Sequence, residues 1–81
     1  MMTRKEFGKY LIVDPEICHG KLVFKGTRVP VSTVLTFLAM GDSIHDILRN
    51  WPQLKREYVE EAIHFASQLI TENFPGEKIA V

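Results

Sequence analysis

The sequence predicts a mainly α domain: a trihelical unit of the helix-turn-helix kind, preceded by a small N-terminal β element. Three observations predict it. The hydrophobic period changes once, near Pro30, from short β-rich runs to a 3.6-residue spacing. The helical part is broken twice, at Gly41-Asp42 and over Trp51 to Leu54. No internal repeat, low-complexity segment or linker divides the 81 residues. The expectation is a single domain over 1–81, with a β-ribbon at about 9–29, a three-helix unit at about 31–72 and a tail at 73–81.

The β element is read from Tyr10-Leu11-Ile12-Val13, the turn Asp14-Pro15-Glu16, then Leu22-Val23-Phe24, Gly26 and Arg28-Val29. Asp before Pro starts a turn by accepting backbone N–H bonds, and Pro15 then fixes its own φ. Gly20 and Gly26 bracket Lys21 to Lys25 as a short strand, so two or three small strands are expected. Such a ribbon is marginal alone and must pack on the helical part of the chain or on a copy of itself.

In the first helix, Val31 to Met40, the residues Val31, Val34, Leu35, Leu38 and Ala39 share one face, and Gly41 supplies the left-handed stop. Ser43 caps the second helix, Ile44 to Asn50, with Asp46 completing an acidic capping box. Pro52 ends it, because the residue before a proline is pushed out of the α region. The third and longest helix runs from about Arg56 to Glu72, with an apolar stripe of Val59, Ala62, Ile63, Ala66, Leu69 and Ile70 at a 3.6-residue period. Phe65 lies off that stripe and Tyr58 at its margin, and Pro75-Gly76 come after the helix.

Composition narrows the function classes. A quarter of the residues are charged and no run of 18 apolar residues exists, which argues against a membrane span. The charged start Met1 to Lys9 does not read as a secretory signal, so the cytoplasm is the expected location. One cysteine closes no intrachain disulfide, and three histidines beside it make a zinc staple a poor reading, so no metal or cofactor is expected. Forty-six per cent of the residues are hydrophobic, a large share for a domain whose core rarely yields more than ~3–5 kcal/mol unaided. A second chain is therefore expected to close some apolar surface, as a homodimer or higher oligomer or as a partner protein.

The net charge of zero hides an asymmetry. Residues 1–28 hold six Lys/Arg against three acids (+3), and residues 29–81 hold four against seven (−3). Anions would be drawn to the first part, and a basic protein to the second.

In a helix-turn-helix the N-terminal turn of the third helix meets the major groove. Here that turn would point Gln53, Lys55 and Arg56 at DNA, with Arg49 near a phosphate. Glu57, Glu60 and Glu61 on the same helix oppose it. Lys21, Lys25 and Arg28 around the ribbon could grip phosphates, or could guard a strand edge against unwanted pairing. Arg28 could equally make a structural ion pair or bond a loop carbonyl. A phosphate loop does not fit, because Lys25 precedes Gly26 in a strand-like setting. Cys18 and His19, as strand-like neighbours, would point apart and serve neither a metal nor nucleophilic catalysis. No carboxylate pair stands at an acid–base spacing. The chain reads as a binder and not an enzyme. Trp51 is expected to fill the core around its turn, with a partner hot spot as the alternative for so large a ring, and Phe65, Leu69, Phe74 and Ile79 are the expected partner-binding residues.

The run Asp14-Pro15, Gly20-Lys21, Leu22-Val23-Phe24, Gly26-Thr27-Arg28, Val29-Pro30-Val31 resembles the signature of a small prokaryotic family, the uncharacterised-domain family number four hundred and thirty-three, often grouped with VapB-type antitoxins. Gly41, Ser43, Trp51-Pro52-Gln53-Leu54, Ala62 and Ala66 match its later parts. The departures are Leu22 where proline is usual, His19 where glycine is common, and Lys55 in place of a capping Ser, Thr or Asp. The resemblance implies a homeodomain-like trihelical fold behind a β element. It also implies an antitoxin that inhibits a PIN-like ribonuclease toxin from the adjacent gene and binds operator DNA as a dimer. The alternative from the residues themselves is a non-catalytic protein-interaction module that does not bind DNA.

Overall fold

A computed structural model describes residues 3–76. Three short strands, β1 (Lys5–Phe7), β2 (Leu11–Val13) and β3 (Leu22–Phe24), form an antiparallel sheet in the order β1-β2-β3. Three helices come next: α1 (Val31–Ala39), α2 (Ile44–Asn50) and α3 (Arg56–Asn73). The fold is thus a mixed arrangement of three helices on a small N-terminal sheet.

The register sets Phe7 opposite Leu11 and Leu11 opposite Phe24, so these three share the sheet face that packs on the helices. With them Val29, Val31, Val34, Ile47, Leu54, Val59 and Ala62 complete the core cluster. On the opposite face, Ile12 and Val23 are buried beneath an ion pair between Lys25 Nζ and Glu6 at 3.0 Å, which reaches across β2. Lys25 holds the Glu6 carboxyl below the usual carboxylate range.

The helix ends reflect local chemistry. Gly41 takes a φ of +107° just beyond α1, open to glycine but strained for other residues. The Ser43 hydroxyl accepts the Asp46 amide at 3.1 Å, and the Asp46 carboxylate accepts the Ser43 amide at 3.0 Å, closing the expected capping box. The Ser43 amide first, and then the Ser43 side chain, hold the Asp46 carboxyl below its ordinary range. Lys55, at the N-cap of α3, makes no side-chain cap bond. Trp51 meets Phe37 edge-on with ring centroids 5.5 Å apart, bracing the α2–α3 turn as core filling.

Four expectations are corrected. The β element begins at Lys5 and not near residue 9, because β1 pairs with β2 through a turn at Gly8, whose φ is +69°. Cys18 and His19 are not strand-like: they form a tight 3-10 turn with φ of 50° and 56°. Arg28 makes neither a structural ion pair nor a carbonyl bond through its side chain among the described residues; instead its own carbonyl accepts the Cys18 thiol at 3.4 Å. The fourth concerns the stripe on α3. Val59 and Ala62 are fully buried, but the stripe is not covered along its length: Ile63 and Ile70 are 43% and 63% exposed, and Leu69, the stripe residue also expected to meet a partner, is 43% exposed.

Candidate functional site

Two surfaces are open, and they lie at different ends of α3. The first is an apolar groove of about 340 Å³. Its walls are Val31, Ser32 and Leu35 of α1, the β3 edge at Lys21 and Leu22, and Ala62, Phe65, Ala66 and Leu69 of α3. The groove exists because α3 presents alanine at 62 and 66, side chains too small to fill the space beside Phe65. Phe65 is half-buried, tilted against Phe7 at 5.4 Å between centroids. It therefore packs on the core cluster instead of standing off it, which corrects its placement away from the packed face. Beyond the groove, Ile70 and the 77%-exposed Phe74 continue the apolar surface from Leu69. Of the four expected partner-binding residues, Phe65 and Leu69 line the groove, Phe74 lies beyond it, and Ile79 falls outside the described residues.

Sequence reasoning read Leu35 and Ile70 only as members of their helical stripes and did not mark Leu35 as a wall of the groove or Ile70 as exposed apolar surface next to it. The pair of alanines at i and i+4 is the one signal that marks the gap.

The second surface is a corner around the start of α3. Gln53, Lys55 and Arg56 are exposed there, and Arg56 lies 3.9 Å from Glu60, a loose pair one turn along. Arg49, at the end of α2, lines a separate polar hollow with Asp42, Asp46 and Asn50. The ribbon cations do not join this corner. Lys21 borders the apolar groove, and α3 rises about 14 Å between Arg56 and the groove residue Phe65. Lys25 is committed to Glu6. Arg28 is exposed on the loop after β3. Of the seven expected DNA-binding residues, Gln53, Lys55 and Arg56 thus share the start of α3, and the other four are placed elsewhere.

That loop has a structural task of its own. The Thr27 hydroxyl donates to the Phe24 carbonyl at 2.8 Å and accepts the Val29 amide at 3.0 Å. Gly26, at φ +79°, turns the chain so that these bonds close. The Gly-Thr pair therefore shapes the loop, and the Arg28 guanidinium is left to solvent.

The Glu61 carboxylate is also spoken for. It accepts the backbone amides of Lys9 at 2.9 Å and Tyr10 at 2.6 Å, tying the β1–β2 turn to α3. Among the described residues no group of three or more His, Cys, Asp or Glu side chains is placed to hold a metal ion, and no helix is long and apolar enough to cross a membrane.

Fold and surfaces together define a small sheet-and-helix domain with an open apolar face along the second half of α3. The chain belongs to the family described as "Protein of unknown function (DUF433)", which it matches over residues 12–66. It is similar to a crystal structure of a DUF433 member protein from Anabaena variabilis ATCC 29413, with a TM-score of 0.70 and 25% identity, covering 85% of this chain and 71% of that one. It is also 40% identical over 53 residues to the uncharacterized protein y4eO of Sinorhizobium fredii (strain NBRC 101917 / NGR234). That match takes in 65% of this chain but 24% of the relative, so this chain corresponds to about a quarter of the longer protein.

Proposed function

We propose that this chain is an antitoxin-like regulator: a non-catalytic protein that binds and inhibits a PIN-like ribonuclease toxin from the adjacent gene, and contacts promoter DNA as a dimer. The observation that carries the reading is the apolar stripe of α3, covered at Val59 and Ala62 and bare from Leu69 to Phe74 beside an unfilled groove. Exposed apolar surface of that kind, contiguous and rimmed by charge, is the mark of a protein-docking face. The toxin would lay an apolar segment against it. DNA would meet the corner of Gln53, Lys55 and Arg56, with α2 and α3 acting as a VapB-type, homeodomain-like helix-turn-helix.

The test is co-expression with the adjacent gene product. The two proteins should co-purify and the ribonuclease activity should be suppressed, and Leu69→Glu should abolish both effects while the helical signal in circular dichroism is kept. A neighbour that is not a nuclease, or an inhibition indifferent to Leu69→Glu, refutes this half. For DNA, Lys55→Glu with Arg56→Glu should weaken salt-dependent binding to the promoter fragment.

A second reading, an interaction module that does not bind DNA, is favoured by the pairing of Lys25 with Glu6 and of Arg56 with Glu60, which leaves few free cations together. Absence of promoter binding at low salt, with and without the toxin, would select it.

A further inference from the structure

We propose that the open face of α3 is also the self-association surface of this chain, closed in solution by a second copy whose α3 lies antiparallel across it. The inference rests on the reading above only in treating this face as a docking surface; it concerns the protein by itself, without toxin or DNA.

Three features select a second copy as the occupant. Knob and hole stand side by side on one chain. The groove beside Ala62 and Ala66 receives, and the bare Leu69 and Ile70 one turn further on can fill. A two-fold axis near Ala66 lays each copy's Leu69 and Ile70 over the other's groove, so a single patch closes both faces. Helical geometry makes that patch continuous, since Phe65, Leu69, Ala62, Ala66, Ile70 and Ile63 fall within an arc of ~160° at 3.6 residues per turn.

Charge agrees. Lys21 is the one charged residue in the groove wall and has no acidic partner among the described residues, while Glu72 sits at the flank of the stripe, a turn beyond Leu69. Antiparallel crossing brings the Glu72 of each copy toward the Lys21 of the other.

Size agrees as well. A stable pair buries ~800 Å² on each copy, about an eighth of this chain's 6109 Å². The second half of α3 with its flanking walls from β3 and α1 supplies the apolar centre of such a patch.

Sedimentation equilibrium of the purified chain over a range of concentrations tests this. The expected result is a monomer–dimer equilibrium. Leu69→Glu and Ile70→Glu should each raise the dimer dissociation constant at least about tenfold with the circular dichroism spectrum unchanged, because both side chains are solvent-facing in the monomer. Lys21→Glu or Glu72→Lys alone should weaken the dimer, and the two together should restore it. A monomer at every concentration overturns the proposal, including the case in which the chain's own residues 77–81 cover the groove. A dimer untouched by Leu69→Glu, or a charge exchange that fails to rescue, overturns it too. Because no toxin is present, this outcome is read separately from the co-expression result.

Discussion

The contact between Glu61 and the β1–β2 turn is where the domain is most exposed to a single substitution. One carboxylate on α3 accepts two consecutive backbone amides, Lys9 at 2.9 Å and Tyr10 at 2.6 Å, more than fifty residues away in the chain. Hydrogen bonds to a charged group contribute ~1.5–3 kcal/mol each when buried. Here Lys9 is exposed and Glu61 half-buried, so water can replace part of the loss, and Glu61→Ala should cost about 2 kcal/mol. For a domain of this length that is a large fraction of a total of ~4–12 kcal/mol, and it corresponds to a fall in Tm of about 10 °C. Gly8 supplies the control. A Cβ at Gly8 would stand 2.6 Å from the Glu61 carboxylate, and its φ of +69° is strained for alanine. Gly8→Ala should therefore expel the carboxylate and add the left-handed backbone cost of ~1 kcal/mol, for a total near ~3 kcal/mol. Once Glu61 is already alanine, the backbone cost alone should remain. The double-mutant cycle should thus show about 2 kcal/mol of coupling. Urea unfolding monitored by Trp51 fluorescence measures all four proteins. Costs that simply add, within ~0.5 kcal/mol, would refute the claim that this carboxylate holds the turn.

The same geometry sets three further outcomes. Ser43→Ala should destabilise the domain by ~1 kcal/mol through loss of the α2 cap, measured by the same urea titration. Asp46 titrates below its ordinary range in the folded state, so its contribution is present above an unfolded value of ~3.9 and is lost as pH falls through the folded value. Asp46→Asn should flatten that acid limb in unfolding midpoints taken between about pH 5 and pH 2. Thr27→Val should cost ~1–3 kcal/mol, because it strands the amide of buried Val29, and a midpoint equal to the parent's would show that the loop closes without the hydroxyl.

The helices were legible in the sequence nearly to the residue, because their ends are set by neighbours along the chain. The Gly41 stop, the Ser43–Asp46 box and the Trp51-Pro52 break each act within four positions, and α1, α2 and α3 end within one residue of the expected bounds. Features that depend on distant partners were not legible. Lys5-Glu6-Phe7 carries no β pattern of its own and becomes a strand only because β2 lies beside it and Glu61 fixes the turn between them. The turn at Cys18 and His19 is likewise invisible to composition, since both residues take positive φ without being glycine. The candidate site was half legible: Leu69 and Phe74 were marked as partner-facing, but Ile70 was read only as part of the stripe and Leu35 was not marked as a groove wall.

That last failure has a geometric cause, and the cause is also the argument for a partner. Periodicity reports which face of a helix is apolar, and it carries no information on how far the covering element extends. α1 has nine residues and spans about 14 Å, whereas α3 has eighteen and spans about 27 Å. A helix of half the length, with a three-residue strand beside it, cannot cover the whole stripe, so the 3.6-residue pattern runs past the end of the domain's own core. From Leu69 onward the stripe runs beyond the described core, and under the self-association proposed above a second α3 running the opposite way would cover it with its own apolar face.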